Sequence, residues 1–292
     1  ANATGWVHAG DKAIAGRLIK TDDEHPLVAQ IWGGEPGDME QFAAHCARLG
    51  FDGIDINMGC PAKSAIKSGG AALIRRPDVA VAAIAAAKTA GLPVSVKTRL
   101  GYTYIDEWHE WLSTLLAQNL VNLTIHLRTK KEMSKVPAHY ELIDDIIALR
   151  DRIAPQTLLT INGDIRDRTH GLELVRQHPG INGVMIGRGI FSDPFCFRKG
   201  GVSSEIEDKR VIVGGTAPTS EQISDFSEEG VDRLAGPAFS DLRAVTDGDD
   251  GSNNTKSELI YLLHYHLDLF DHYQPTLGRP FETLKRFFKI YI

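Results

Sequence analysis

A chain of 292 residues with 42% hydrophobic and 24% charged content can bury a large core, enough for one barrel of ordinary size plus a small appendage. Its formal charge of −6 excludes a uniformly basic surface, so a polyanion would have to be met by local clusters such as Lys63, Lys67, Arg75 and Arg76, or Lys285, Arg286 and Lys289. No apolar run approaches the ~18 residues of a membrane span, and Cys46, Cys60 and Cys196 form neither a CxxC pair nor an even-numbered framework, which argues against a structural zinc site and for a reducing, cytoplasmic setting.

Strand-like segments recur along the first two-thirds of the chain: Gly5–His8, Val28–Trp32, Gly53–Asn57, Val94–Arg99, Asn122–His126, Leu158–Asn162 and Gly183–Gly187. A helical stretch trails each of them. The Ala-rich run Val79–Ala90, for example, reads as a helix with Gly91 as its stop. Repeated βα units at this spacing predict a parallel sheet, and an α/β barrel of the (β/α)₈ type needs one strand more than these segments supply. After Phe197 the pattern dissolves into Gly214-Gly215, scattered Pro and the polar run 247–254, so residues 200–256 read as an irregular connector. Helical spacing returns with Leu259, Leu262, Leu263, Leu267 and Phe270, and again with Phe281, Leu284, Phe287, Phe288 and Tyr291. Three parts follow: a barrel over 1–199, the connector, and a small C-terminal helical domain over 257–292. The chain opens at Ala1 rather than Met and stops at Ile292 inside an apparent helix, so both ends read as cut.

In Asp55-Ile56-Asn57-Met58-Gly59-Cys60-Pro61 a short strand delivers a thiol directly into a Gly/Pro turn. Cys46 and Cys196, without such neighbours, read as packing residues. Polar residues stand at four further strand ends: Gln30, Lys97, His126 with Arg128, and Asn162-Gly163-Asp164 beside Gly187-Arg188-Gly189. Parallel barrel strands point their carboxyl ends to one face, so all of these converge there. The two glycine-backed turns after the last strands suit a phosphate-bearing ligand, with Arg188 adding a charge-assisted bond.

The Asp55–Pro61 run, followed by Lys67-Ser68-Gly69-Gly70-Ala71-Ala72-Leu73, resembles the signature of the tRNA-dihydrouridine synthases, flavoenzymes that reduce uridine in tRNA. The resemblance covers roughly residues 1–197 and 257–292, with no counterpart for the connector. It implies a TIM barrel followed by a small tRNA-binding helical domain, and the family's first strand, with its Ala-Pro-Met segment, is absent before Gly5. It further implies bound FMN, NADPH or NADH as electron donor, and tRNA as substrate. Cys60 would be the catalytic acid. Gln30, Lys97 and His126 would contact the flavin ring, while Asn162, Gly163, Asp164, Gly187 and Arg188 would hold its phosphate. Asn57 and Arg128 would face the substrate. Lys135, in a loop that departs from the commoner aromatic-Gly pattern, is a further substrate candidate, and Leu127 stands where the family more often has Gly. Neither a metal nor a protein partner is implied.

Other classes stay open on the residues alone. Cys60 and His126 could form the nucleophile–base pair of a hydrolase or transferase. The chain could be an RNA-binding protein that kept the fold without catalysis, or a flavin barrel reducing a free pyrimidine.

Overall fold

Among the described residues the β-branched runs form six parallel strands: β1 (Val28–Ile31), β2 (Gly53–Asn57), β3 (Val94–Arg99), β4 (Asn122–His126), β5 (Leu158–Asn162) and β6 (Gly183–Met185), hydrogen-bonded in sequence order. In this computed structural model residues 1–14, 17–21 and 24–198 are described, together with the isolated helical positions 262, 263 and 267. The expected connector and the body of the expected C-terminal helical domain lie outside the described residues. No helix among those described is long and apolar enough to cross a membrane.

Helices α1 (Ala3–Ala9), α2 (Pro36–Arg48), α3 (Lys63–Ile66), α4 (Pro77–Lys88), α5 (Trp108–Leu116), α6 (Ile143–Ile153), α7 (Arg168–Gln177) and α8 (Gly189–Ser192) alternate with the strands. Pro36 and Pro77 start α2 and α4, where a missing N–H costs nothing. The Asp167 carboxylate caps α7 by accepting the His170 N–H at 2.8 Å. The order of units is that of successive βα repeats of a (β/α)₈ barrel.

One expected strand is a helix. Gly5–His8 lies within α1, and β-sheet pairing at this edge is reduced to a parallel bridge between Asn2 and Trp32. Four alternating residues fit one helical turn as well as a short strand, and packing decides between them. Trp6 stacks on His45 at 4.5 Å and meets Phe42 at 5.1 Å between ring centroids, which fastens α1 to α2.

Alternation along the strands separates two environments. Ile54, Ile56, Val96, Leu123, Ile125, Leu159 and Ile161 are fully buried in the apolar layer shared with the helices. The opposite parity carries Asp55, Ser95, Asn122, Thr124 and Thr160, which are buried as well. Register sets Asp55 beside Ser95, and Ser95 beside Asn122. Their side chains bond to one another: Ser95 Oγ donates to Asp55 Oδ1 at 2.8 Å, Asn122 Nδ2 to Thr124 Oγ1 at 3.0 Å, and Thr160 Oγ1 to Asn122 Oδ1 at 2.9 Å. These bonds satisfy groups that would otherwise be costly to bury. They form a polar floor beneath the carboxyl ends of the strands.

Candidate active site at the carboxyl ends of the strands

Above that floor, register aligns Asn57 with Lys97, Arg99 with His126, and His126 with Asn162. The strand ends therefore bring the expected residues to one face.

Cys60 is half-buried and carries a free thiol, whereas Cys46 and Cys196 are buried and burial pushes both of their thiols up to about 11. Of the three thiols, that of Cys60 is the least enclosed. Asn57 shapes its turn: Oδ1 accepts the Gly59 N–H at 3.1 Å and the Cys60 N–H at 3.0 Å, while Nδ2 donates to Gln30 Oε1 at 3.2 Å. Gln30 Nε2 passes on to Asp55 at 2.8 Å, and burial raises the Asp55 carboxyl above its usual range. Asn57 and Gln30 thus act through each other and through the Cys60 backbone.

Lys97 Nζ donates to Asn162 Oδ1 at 3.3 Å, and Asn162 Nδ2 to the Met185 carbonyl at 2.7 Å, linking three strand ends. Burial, reinforced by the Arg99 charge, lowers the Lys97 ammonium to about 8, against the attraction of Asp55 and Cys60. His126 responds to the same surroundings. Burial, then Arg99, Lys97 and Arg128, bring it down to about 3, so its ring is neutral at ordinary pH. Its Nε2 lies 3.1 Å from Arg128 Nη1. A guanidinium can only donate, so Nε2 is the acceptor and the ring proton sits on Nδ1.

Arg128, expected to touch substrate, has another place. It is 2% exposed, with Nε donating to the Val136 carbonyl at 2.6 Å, Nη1 to His126, and Nη2 to the Asp164 carboxylate. Each nitrogen of its guanidinium meets a partner on a neighbouring loop or strand end, so Arg128 braces these segments as a positioning residue. Asp164 also accepts the Ala138 N–H at 3.0 Å and the Arg188 guanidinium at 3.2 Å, and despite partial burial these bonds hold its carboxyl below the usual range. Arg188 itself remains 68% exposed. Gly163 adopts φ +128°, where a Cβ would come within 3.0 Å of Ala138 Cβ and 3.1 Å of His126 Cδ2, so a side chain at this turn would crowd the ring. A Cβ added at Gly187 would meet, among the described residues, only Asn162 Nδ2 at 3.9 Å. Lys135 is exposed on the 129–136 loop.

Sequence reading missed Arg99. It is 7% exposed, and donates from Nε to the Gly59 carbonyl at 2.8 Å and from Nη1 to the carbonyls of Thr129 at 3.2 Å and Met133 at 3.3 Å. Its parity with Ser95 and Lys97 was the available signal, since residues two apart share a face.

Among the described residues, no group of His, Cys, Asp and Glu side chains has the arrangement of a metal site. The donor set and the open glycine turns instead suit an anionic, ring-bearing ligand laid across the strand ends.

Comparison with known proteins gives the family. The family model "Dihydrouridine synthase (Dus)" matches residues 4–224. A Bacillus subtilis (strain 168) protein named "Probable tRNA-dihydrouridine synthase 2" is 45% identical over 293 aligned positions, spanning 100% of this chain and 74% of the relative. A Staphylococcus aureus (strain Mu50) protein named "Probable tRNA-dihydrouridine synthase" is 46% identical with the same coverage. Both alignments run through residues 200–256, the stretch that had no counterpart in the sequence resemblance. A half-buried thiol on an Asn-ordered turn, a lysine and a neutral histidine over a polar floor, and this similarity along the whole chain lead to one assignment: the chain belongs to the dihydrouridine synthase family.

Proposed function

We propose that this chain reduces uridine in tRNA to 5,6-dihydrouridine, with Cys60 as the general acid. The observation that carries this reading is the placement of Cys60, half-buried and free, on a turn whose two N–H groups are held by Asn57, within reach of the charges of Lys97 and Arg99.

The residues fit FMN. Lys97 and the Nδ1–H of His126 are donors suited to the carbonyl-rich edge of a flavin ring, and Gln30 stands on β1, across β2 from Lys97. The turns at Asn162–Asp164 and Gly187–Arg188 offer open backbone and an exposed guanidinium to its phosphate. When bound and reduced by NADPH or NADH, FMN supplies hydride to one carbon of the uracil C5=C6 bond. The protein must then deliver a proton to the other carbon from the opposite face. Cys60 Sγ holds that proton, with Lys97 and Arg99 as its neighbouring cations. His126 stays neutral through the cycle, and Arg128 keeps its ring and the 136–138 segment in place. Lys135, exposed on the next loop, is available to the tRNA. The domain expected over 257–292, after a barrel over 1–199 and a connector over 200–256, has its body outside the described residues and is assigned the task of gripping the tRNA, and the cytoplasm is where such a substrate is met.

A hydrolytic Cys60–His126 pair fits less well. His126 Nε2 already accepts from Arg128, and a ring that protonates only near 3 is a poor base at neutral pH. Purified full-length protein tests the proposal: it should be yellow, release FMN on denaturation, and form dihydrouridine in unmodified tRNA when given NADPH or NADH. Protein that remains colourless after incubation with FMN, or yellow protein inert towards tRNA uridine, overturns it.

A further inference from the structure

Three loops at the carboxyl face gather aromatic rings and cations to one side of the Cys60 turn. The Arg75 guanidinium lies 5.1 Å and the Lys130 ammonium 4.8 Å from the Tyr102 ring centroid, and the Lys131 ammonium lies 5.6 Å from that of Tyr104. Two cations against one ring repel each other. Among the described residues, none of Arg75, Lys130 and Lys131 makes an ion pair with a carboxylate. Glu107 is occupied, because its carboxylate accepts the N–H groups of Tyr102 at 2.6 Å, Thr103 at 3.1 Å and Tyr104 at 2.9 Å. Glu132 is likewise engaged with the Thr129 N–H at 2.7 Å and His139 at 3.0 Å. Asp106 is the carboxylate of this turn without a hydrogen bond or ion pair among the described residues. Three positive charges with no anion of their own call for one from outside.

The surface is also prearranged. Glu107 fixes the Tyr102–Tyr104 turn, and Lys130 N–H and Lys131 N–H bond to the carbonyls of Gly101 at 2.8 Å and Tyr102 at 2.9 Å, stapling the β3 and β4 loops together. Tyr104 remains 64% exposed, an open ring face beside those cations. The patch joins the chemistry directly. Arg75 ends the 3₁₀ turn Gly70–Arg75, whose Ala71 N–H bonds to the Cys60 carbonyl at 3.1 Å, and Arg99 ties Gly59 to Thr129.

We propose that Arg75, Tyr102, Lys130, Lys131 and Tyr104 form an RNA-docking patch that takes the backbone phosphates and one unstacked base flanking the target nucleotide. This rests on the tRNA reading above. The cations meet the phosphates, Tyr102 sets their spacing, and Tyr104 offers its face to the base, the combination that binds unpaired strands. Solvated side chains with no such task would make the same positions interchangeable with any surface residue.

The test uses the full-length protein with unmodified tRNA, comparing wild type, the triple variant R75Q/K130Q/K131Q, Tyr104→Ala, and a control, R152Q/R176Q, on the outer helices α6 and α7. In the triple variant the slope of log affinity against log salt should become shallower by roughly 0.7–0.9 for each phosphate no longer neutralised. Tyr104→Ala should weaken tRNA binding by about 5- to 150-fold with the slope unchanged. Flavin reduction by the nicotinamide should stay at wild-type rate in both. Unchanged affinity and slope in both patch variants, an equal effect from the control, or a parallel loss of flavin reduction overturns the patch while leaving the tRNA reading standing. Wild-type protein that neither binds nor reduces tRNA removes that reading, and the patch with it.

Discussion

Asn57 reaches three residues along the chain to Cys60: the side-chain oxygen of the residue that ends strand β2 accepts the backbone N–H of the residue that carries the thiol, at 3.0 Å. Position of the acid is therefore set by a side chain that need never touch the substrate. Asn57→Ala leaves two partly buried N–H groups without their acceptor, worth about 1–3 kcal/mol each. We expect uridine reduction in single turnover to fall ~10- to 100-fold, with bound flavin retained, and Asn57→Asp, which keeps the accepting oxygen, to recover part of the loss. Unaltered turnover in the alanine variant would show that the turn orders itself.

Cys60→Ala separates the two halves of the reaction. Reduction of the flavin by the nicotinamide needs no acid on the uracil side and should proceed almost normally, whereas dihydrouridine formation should drop by ~10²–10⁴-fold. Stopped-flow flavin reduction alongside single-turnover tRNA reduction distinguishes this from a merely structural thiol, for which both steps change together or neither does.

Lys97 makes opposite predictions for ligand binding and for stability. Its ammonium, lowered by burial to about 8, is charged below that pH, so flavin affinity should weaken as pH rises through about 8. Stability of the flavin-free protein should instead rise between pH 8 and 10.5, because over that range the unfolded chain holds the lysine proton and the folded one does not. Lys97→Met should abolish both trends and lower flavin content with an unchanged circular dichroism spectrum. Full flavin content and activity in that variant would make Lys97 a bystander.

His126 protonates only near 3 in the folded protein but near 6.5 when exposed, so between those values the unfolded chain binds the extra proton. Stability should fall as pH drops from 6.5 towards 3, and His126→Gln should flatten that dependence in urea titrations. An imidazole resonance titrating near 6.5 in the native protein would contradict the buried, neutral ring.

The strands around the site were legible because they are long, β-branched and end in polar residues: Val94–Arg99 and Asn122–His126 form over the ranges their pattern predicts. Gly5–His8 was not, since a four-residue alternation carries too little periodicity to outweigh the packing of Trp6 on Phe42 and His45. The strand ends that carry polar residues were legible as well, but not how their side chains are enclosed. Arg128 and Cys60 look alike in a motif, as polar residues at strand ends, and only the structure shows that one is enclosed while the other is half-buried. Arg99 went unnoticed because its partners are main-chain carbonyls, which leave no mark in the sequence.

That last feature bears on how the loops can diverge. Arg99 grips Gly59, Thr129 and Met133, and Arg128 grips Val136, all through peptide oxygens. A peptide oxygen is present whatever amino acid occupies the position, so exposed positions such as Ser134 and Lys135 can exchange their side chains while the two arginines, with Glu132 bonded to Thr129 and His139, preserve the path of the loop. The burden of inheritance falls on Arg99 at the end of β3 and Arg128 just beyond β4, and the stretch around Lys135 is left at liberty to be rewritten for different substrates without dismantling the site beneath it.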